Sequence, residues 1–267
     1  MAPTIGVFDS GFGGLTVLRA LVERLPAARF AFLGDTARLP YGSKSRRTIA
    51  RYAAQSAQFL VREQGAEFLV IACNTASALA LDAIQDAVSV PVLGVIEPGA
   101  AAAHAASGTG DVMVVATEAT VYSSAYTAAS TAHGLRAIEK ACPLLVPLVE
   151  EGWTDHPITA NVIDIYLGEL RAEATARGMN PDTLVLGCTH YPLLRPLFEG
   201  PCSPASKLLI QRSPWRRLPR NSSTVGLIWS QPALFLKQKF AASLLTRSRS
   251  LNAWARVFSG VQWDGSS

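Results

Sequence analysis

One stretch limits the fold of this chain more than any other: Phe68-Leu69-Val70-Ile71-Ala72-Cys73-Asn74-Thr75-Ala76-Ser77. Four apolar residues, two of them β-branched, lead through a small residue to a cysteine. A polar pair then opens an Ala/Leu-rich segment of helical character. Such a run reads as a buried parallel strand with the next helix starting at its end. In an open α/β sheet, ligands bind at the carboxyl ends of the strands, so a thiol at that point faces the crevice. The pattern returns later as Thr183-Leu184-Val185-Leu186-Gly187-Cys188-Thr189-His190-Tyr191. Two strands thus each deliver a Cys followed closely by a Thr.

With 267 residues the chain can form one large domain or two small ones around a real core. A hydrophobic share of 49% and a charged share of 16% exclude a disordered chain. No apolar run approaches the roughly 18 residues of a membrane span. The N-terminus enters a strand at Thr4 to Phe8 with no basic region and apolar segment ahead of it, which predicts a cytoplasmic protein without a membrane anchor. The four cysteines are Cys73, Cys142, Cys188 and Cys202. None forms a CxxC and no His stands at zinc-finger spacing, so neither a metal site nor a disulfide framework is expected. In a reducing compartment a free thiol is ordinarily a small core residue; two at matching strand ends call for another reason.

Ile5 to Leu18 reads as strand, Gly-rich turn and helix, with Asp9 and Ser10 at the strand's end. The glycines let backbone approach a ligand, but the spacing is not GxGxxG and gives no case for a dinucleotide. Asp9 could equally cap the helix. Phe30 to Asp35 is a second strand, followed by a loop through Pro40, Tyr41 and Gly42, and residues 45 to 64 form an amphipathic helix. After the Cys73 unit, Val90 to Ile96 is a strand closed by Pro98-Gly99, with an alanine-rich helix over 99 to 106. Val112 to Thr117 begins a new strand-led series. Thr117, Thr120 and Ser123 offer hydroxyls where a helix N-terminus should sit, as an anion cradle or as ordinary caps. Cys142 to Gly152 reads as an apolar loop or strand ending in Glu150 and Glu151, and residues 157 to 177 as a long helix. The pattern is a pseudo-duplication: an α/β fold of two parallel-sheet lobes, residues 1–97 and 98–200, around one cleft.

Two thiols at facing strand ends suit one chemistry well. A thiolate abstracts a proton and a thiol donates one, and a Cys pKa near ~8.5 can be tuned toward neutral pH. Two such groups on opposite faces of a carbon can remove its proton from one side and return it on the other, inverting the centre without a cofactor. Nucleophilic Cys-His chemistry competes, but His190 lies only two residues after Cys188, whereas a dyad usually joins separate elements.

Taken together, Asp9-Ser10-Gly11-Phe12-Gly13-Gly14, Tyr41-Gly42, Ala72-Cys73-Asn74-Thr75-Ala76 and Gly187-Cys188-Thr189-His190-Tyr191-Pro192 resemble the glutamate racemases of the aspartate/glutamate racemase superfamily. The resemblance covers roughly residues 4–197. It implies two flavodoxin-like lobes and cofactor-independent interconversion of L- and D-glutamate. Cys73 would act on the D-glutamate α-hydrogen and Cys188 on that of L-glutamate. Asp9 would assist Cys73, while His190 with Glu150 would support Cys188. Asp9, Ser10, Tyr41, Gly42, Asn74, Thr75, Thr189 and His190 would hold the amino acid, with Thr117 and Thr120 near its carboxylates. A homodimer is implied, as is a product that feeds peptidoglycan synthesis in the bacterial cytoplasm. Aspartate and hydantoin racemases are the near alternatives, separated by substrate.

Residues 201–267 depart from that family. They hold ten Lys/Arg and one acid, Asp264, and four of the five Trp (Trp215, Trp229, Trp254, Trp263). The first 200 residues carry a net charge of −5. The family would here return to complete the first lobe with a Val-Asp-Ser-like strand and a helix. This chain instead offers a short strand near Val225 to Trp229 and a helix near 232 to 246, and a shifted reading frame accounts for such text. Two alternatives follow: a racemase fold made inactive by its tail, or a nucleic-acid or partner-binding protein that uses the basic tail. The arginines mark no clear helix face, so nucleic acid is the weaker of the two.

Overall fold

The computed structural model describes residues 3–199 and the backbone of a two-residue strand at 227–228. Strands β1 (Thr4–Asp9), β2 (Arg29–Gly34), β3 (Phe68–Ile71) and β4 (Val92–Gly94) form one sheet in the order β2-β1-β3-β4. Strands β5 (Asp111–Ala116), β6 (Arg136–Ala141), β7 (Thr183–Gly187) and β8 (Leu227–Ile228) form a second in the order β6-β5-β7-β8. Every pairing is parallel. The two sheets share one topology, the flavodoxin-like order in which the direction of strand addition reverses between the first and third strands. The expected fold of two similar parallel-sheet α/β lobes is therefore present.

The helices are α1 (Leu15–Arg24), α2 (Arg46–Arg62), α3 (Asn74–Leu79), α4 (Leu81–Ala87), α5 (Ile96–Ala106), α6 (Glu118–Tyr122), α7 (Ala125–Ala132), α8 (Leu145–Glu150), α9 (Pro157–Ala176) and α10 (Arg195–Phe198). They cover both faces of the sheets, and the period-2 geometry of a strand explains how. Leu69, Ile71 and Cys73 pack with Ile49, Ala53, Ala57 and Leu60 of α2. Phe68, Val70 and Ala72 point the other way and pack with Val17 and Leu21 of α1. The second lobe repeats the division. Leu184, Leu186 and Cys188 meet Leu145 of α8 and Ile163, Leu167 and Leu170 of α9, while Val185 faces the opposite cluster around Tyr126. Each fully buried aliphatic side chain is worth about 1.5–3 kcal/mol, so a strand buried on both faces is held firmly where its chemistry begins.

Several elements differ from expectation. Strand β6 was not foreseen: Arg136, Glu139 and Lys140 break its hydrophobic run, and only Ile138 is buried. It is an edge strand, paired with β5 alone, so it needs no apolar run on both faces. The segment after Cys142 is a turn and helix α8, not a loop or strand. Pro147 is the third residue of that helix, where its missing N–H would have had no intrahelical partner. Pro98 stands likewise at the third position of α5, which starts at Ile96 and shortens β4 to three residues. The helix expected after Cys73 is broken at Ala80 into α3 and α4. The strand expected near 225 to 229 corresponds to β8, which takes beside β7 the place β4 takes beside β3. The helix expected near 232 to 246 lies outside the described residues.

Candidate active site

Both lobes bring their functional side chains to the reversal point of the sheet. In the first lobe, Asp9 ends β1 and Cys73 follows β3 by two residues. In the second, Thr117 follows β5 and Cys188 follows β7.

Asp9 is fully buried. Its Oδ2 accepts hydrogen bonds from the Gly11 and Gly14 amides at 3.1 and 3.0 Å, and its Oδ1 accepts one from Thr189 Oγ1 across the lobes at 3.4 Å. Burial pushes its carboxyl above the ordinary carboxylate range and outweighs those hydrogen bonds and nearby His190, which pull it down. Gly13 permits the lobe crossing, because a Cβ there would meet Thr189 Oγ1 at 2.5 Å.

Cys73 is 4% exposed. Its thiol donates to Ser10 Oγ at 3.4 Å, and its Sγ accepts from the Ala76 amide at 3.4 Å as the cap of α3. Burial first, then the charge of Asp9, pushes this thiol up to about 11, against the pull of the Ser10 and Ala76 hydrogen bonds. Cys188 is 7% exposed. Burial pushes its thiol up further, and Cys73 and Asp9 add to the effect by charge. The two thiols and the carboxyl thus sit within electrostatic reach of one another. His190 Nδ1 lies 3.8 Å from Cys188 Sγ, and its Nε2 lies 3.3 Å from Glu150 Oε1 at the end of α8.

Hydroxyls bridge the lobes. Thr75 Oγ1 lies 2.9 Å from Thr117 Oγ1 and 3.3 Å from Thr120 Oγ1, and the latter two are 2.9 Å apart. The Gly42 carbonyl accepts from the Ala119 amide at 3.1 Å. A Cβ at Gly42 would meet Thr117 Cβ at 2.9 Å, so this approach needs glycine. The Tyr41 side chain is held within its own lobe. Its hydroxyl donates to Asp35 Oδ2 at 2.6 Å, and Asp35 also pairs with Arg38. A cleft of about 510 Å³ beside Gly42 is lined by Ser43, Lys44, Arg46, Glu118 and Tyr122 but by neither thiol.

Two residues of this constellation escape the sequence patterns. Asp35 stands just past the carboxyl end of β2, a position that marks a candidate acid as Asp9 does for β1. Tyr126 donates its hydroxyl to Asn74 Oδ1 at 2.7 Å across the lobes. No sequence spacing signals that contact. Among the described residues, no group of three or more His, Cys, Asp or Glu could hold a metal ion, and no helix is long and apolar enough to cross a membrane.

A family model described as Asp/Glu/Hydantoin racemase matches residues 5–203. A glutamate racemase of Koribacter versatilis is 60% identical over 197 residues, which are 74% of this chain and 66% of that protein. One of Geobacter metallireducens is 50% identical over 193 residues, 72% of this chain and 69% of that protein. Among solved structures, the glutamate racemase of Francisella tularensis in complex with D-glutamate superposes with a TM-score of 0.72 at 33% identity, covering 94% of this chain and 85% of that one. The chain belongs to the Asp/Glu/Hydantoin racemase family. Its sequence and fold are those of an amino-acid racemase of the glutamate racemase kind.

Proposed function

We propose that this chain interconverts L- and D-glutamate by moving the Cα proton between two thiols. Cys188 as thiolate takes the α-hydrogen of L-glutamate, and the electron pair left on Cα spreads into the adjacent carboxylate. Cys73 as thiol then gives its proton to the opposite face, forming D-glutamate, and the reverse reaction exchanges the roles. Asp9 serves the Cys73 side and the His190–Glu150 pair the Cys188 side. Ser10, the Tyr41-Gly42 turn, Asn74, Thr75, Thr117, Thr120 and Thr189 hold the substrate. The thiols supply both base and acid, so the reaction draws on no cofactor.

One observation carries this proposal: two buried thiols stand at the reversal points of equivalent sheets, close enough for the charge of Cys73 to push Cys188 up. The family's glutamate racemases add the substrate. A high thiol pKa is compatible with the chemistry, because the substrate's ammonium group brings a positive charge that stabilises a thiolate. D-glutamate made in this way would serve peptidoglycan synthesis in the cytoplasm, with the chain acting as a homodimer. The test is a polarimetric assay of glutamate, aspartate and hydantoins as single enantiomers. Loss of optical rotation with glutamate from either side is expected. A chain that leaves glutamate unchanged, or racemises aspartate faster, would refute the assignment.

A further inference from the structure

Asn74 follows one thiol directly, and its carboxamide has two ends. The oxygen accepts from Tyr126, whose hydroxyl stands 2.7 Å away on the first turn of α7 in the other lobe. Among the described residues, nothing takes up the hydrogens of the amide nitrogen. A carboxamide free to rotate by half a turn would offer either an acceptor or a donor to the cleft. A donor bonded to its oxygen removes that ambiguity.

Tyr126 suits this task. It is 1% exposed, and burial first, then Glu139 and Cys188, pushes its hydroxyl well above the ordinary tyrosine range, so it stays a donor. Its ring lies against the residue before the second thiol: a Cβ at Gly187 would meet Tyr126 Cε2 at 2.9 Å. One side chain therefore touches the residue after Cys73 and the residue before Cys188. The turn that delivers it is strained. Ser124, two residues earlier, adopts a φ of 54°, a left-handed conformation that costs a non-glycine residue free energy and persists where the surroundings enforce it.

We infer that Tyr126 is a positioning residue that fixes the Asn74 carboxamide with its N–H groups toward the cleft, where they bind a substrate carboxylate. The inference rests on the glutamate reading of the site. It extends that reading by making carboxylate recognition in the first lobe depend on a hydroxyl from the second.

The test is a double-mutant cycle of Tyr126→Phe and Asn74→Ala in the full chain. It is read by calorimetric D-glutamate affinity, by kcat and KM, and by Tm. Tyr126→Phe keeps the ring and its packing. It should weaken D-glutamate binding and raise KM about tenfold, the effect of one misdirected hydrogen bond to a charged group, with a smaller change in kcat. In the Asn74→Ala background the same substitution should change affinity less than twofold, because its target is gone. A Tyr126→Phe chain with a lowered Tm and unchanged affinity would overturn the inference, as would an equal loss in both backgrounds. A parent that binds D-glutamate without racemising it would defeat the racemase proposal alone, and the binding cycle would still decide the role of Tyr126. A parent that does not bind glutamate would overturn both.

Discussion

The two thiol units are alike in backbone and unlike in support. Cys73 ends a buried strand and caps α3, so it receives an amide hydrogen bond from Ala76 and gives one to Ser10, with the Asp9 carboxyl close by. Cys188 ends the equivalent strand but is followed by a 3₁₀ turn at Tyr191–Leu194, and its side-chain neighbour is His190, itself paired with Glu150. Backbone amides reach both thiols, but the Cys73 side adds a hydroxyl partner in Ser10, the Cys188 side an imidazole–carboxylate pair nearer the surface. A duplicated topology thus fixes where the two bases stand, and the residues grafted beside each strand end decide how each is tuned. Burial raises both thiols and hydrogen bonds pull both down, from Ser10 and Ala76 at Cys73 and from the His190 and Tyr191 amides at Cys188; the balance leaves Cys73 at about 11 while Cys188 goes further.

The largest expected effect tests the likeness of the two sides. Cys73→Ser and Cys188→Ser should each lower kcat by on the order of 10³-fold or more, because a hydroxyl is a far poorer base and acid than a thiol. Polarimetry in both directions measures this, and survival of activity in either variant would break the symmetry. The next effect probes the difference. His190→Asn should cost about 10²-fold in kcat, and Glu150→Gln, which removes a half-exposed partner of that imidazole, about tenfold or less. L- and D-glutamate have equal free energies in water, so kcat/KM must fall equally in both directions; only kcat and KM taken singly can differ between the two sides. A pH series sharpens the comparison without substrate. A thiol held up at about 11 is protonated at neutral pH, so Cys73 alkylation by iodoacetamide should rise about tenfold per pH unit and level off only near that value. Cys188 should lag behind it at every pH. A plateau for Cys73 below pH 9, followed by site-resolved mass spectrometry, would contradict the burial argument. The smallest effect concerns the bridge: Thr75→Val should lower stability by about 1 kcal/mol and raise KM, as one lobe loses its hydroxyl partner.

Much of this was legible in the sequence because the relevant strands are buried on both faces. Phe68 to Ile71 and Thr183 to Gly187 read as continuous apolar runs, and each ends where its thiol begins. Asp9 and Thr117 follow from the same rule at β1 and β5. The edge strand β6 was hidden because Ile138 is its only fully buried residue. Helix α8 was hidden behind Pro147, whose tolerated place in a first turn looks in sequence like a break. Asp35 carried the strand-end signal but lay outside the recognised motifs. Tyr126 carried none: its partner Asn74 is 52 positions away, and only the facing of the two lobes brings them together. The tail after residue 200 stands out by composition alone.

The most direct test of the two-base account is the fate of the Cα hydrogen in D₂O. Starting from protiated L-glutamate at low conversion, the account predicts that the D-glutamate formed carries solvent deuterium while the remaining L-glutamate does not. Each thiol delivers a proton to one face only, so the returning proton comes from a group in exchange with solvent. Deuterium entering the recovered L-glutamate as fast as the product, or D-glutamate that keeps the substrate's own hydrogen, would point to a single base and contradict the assignment of Cys73 and Cys188 to opposite faces.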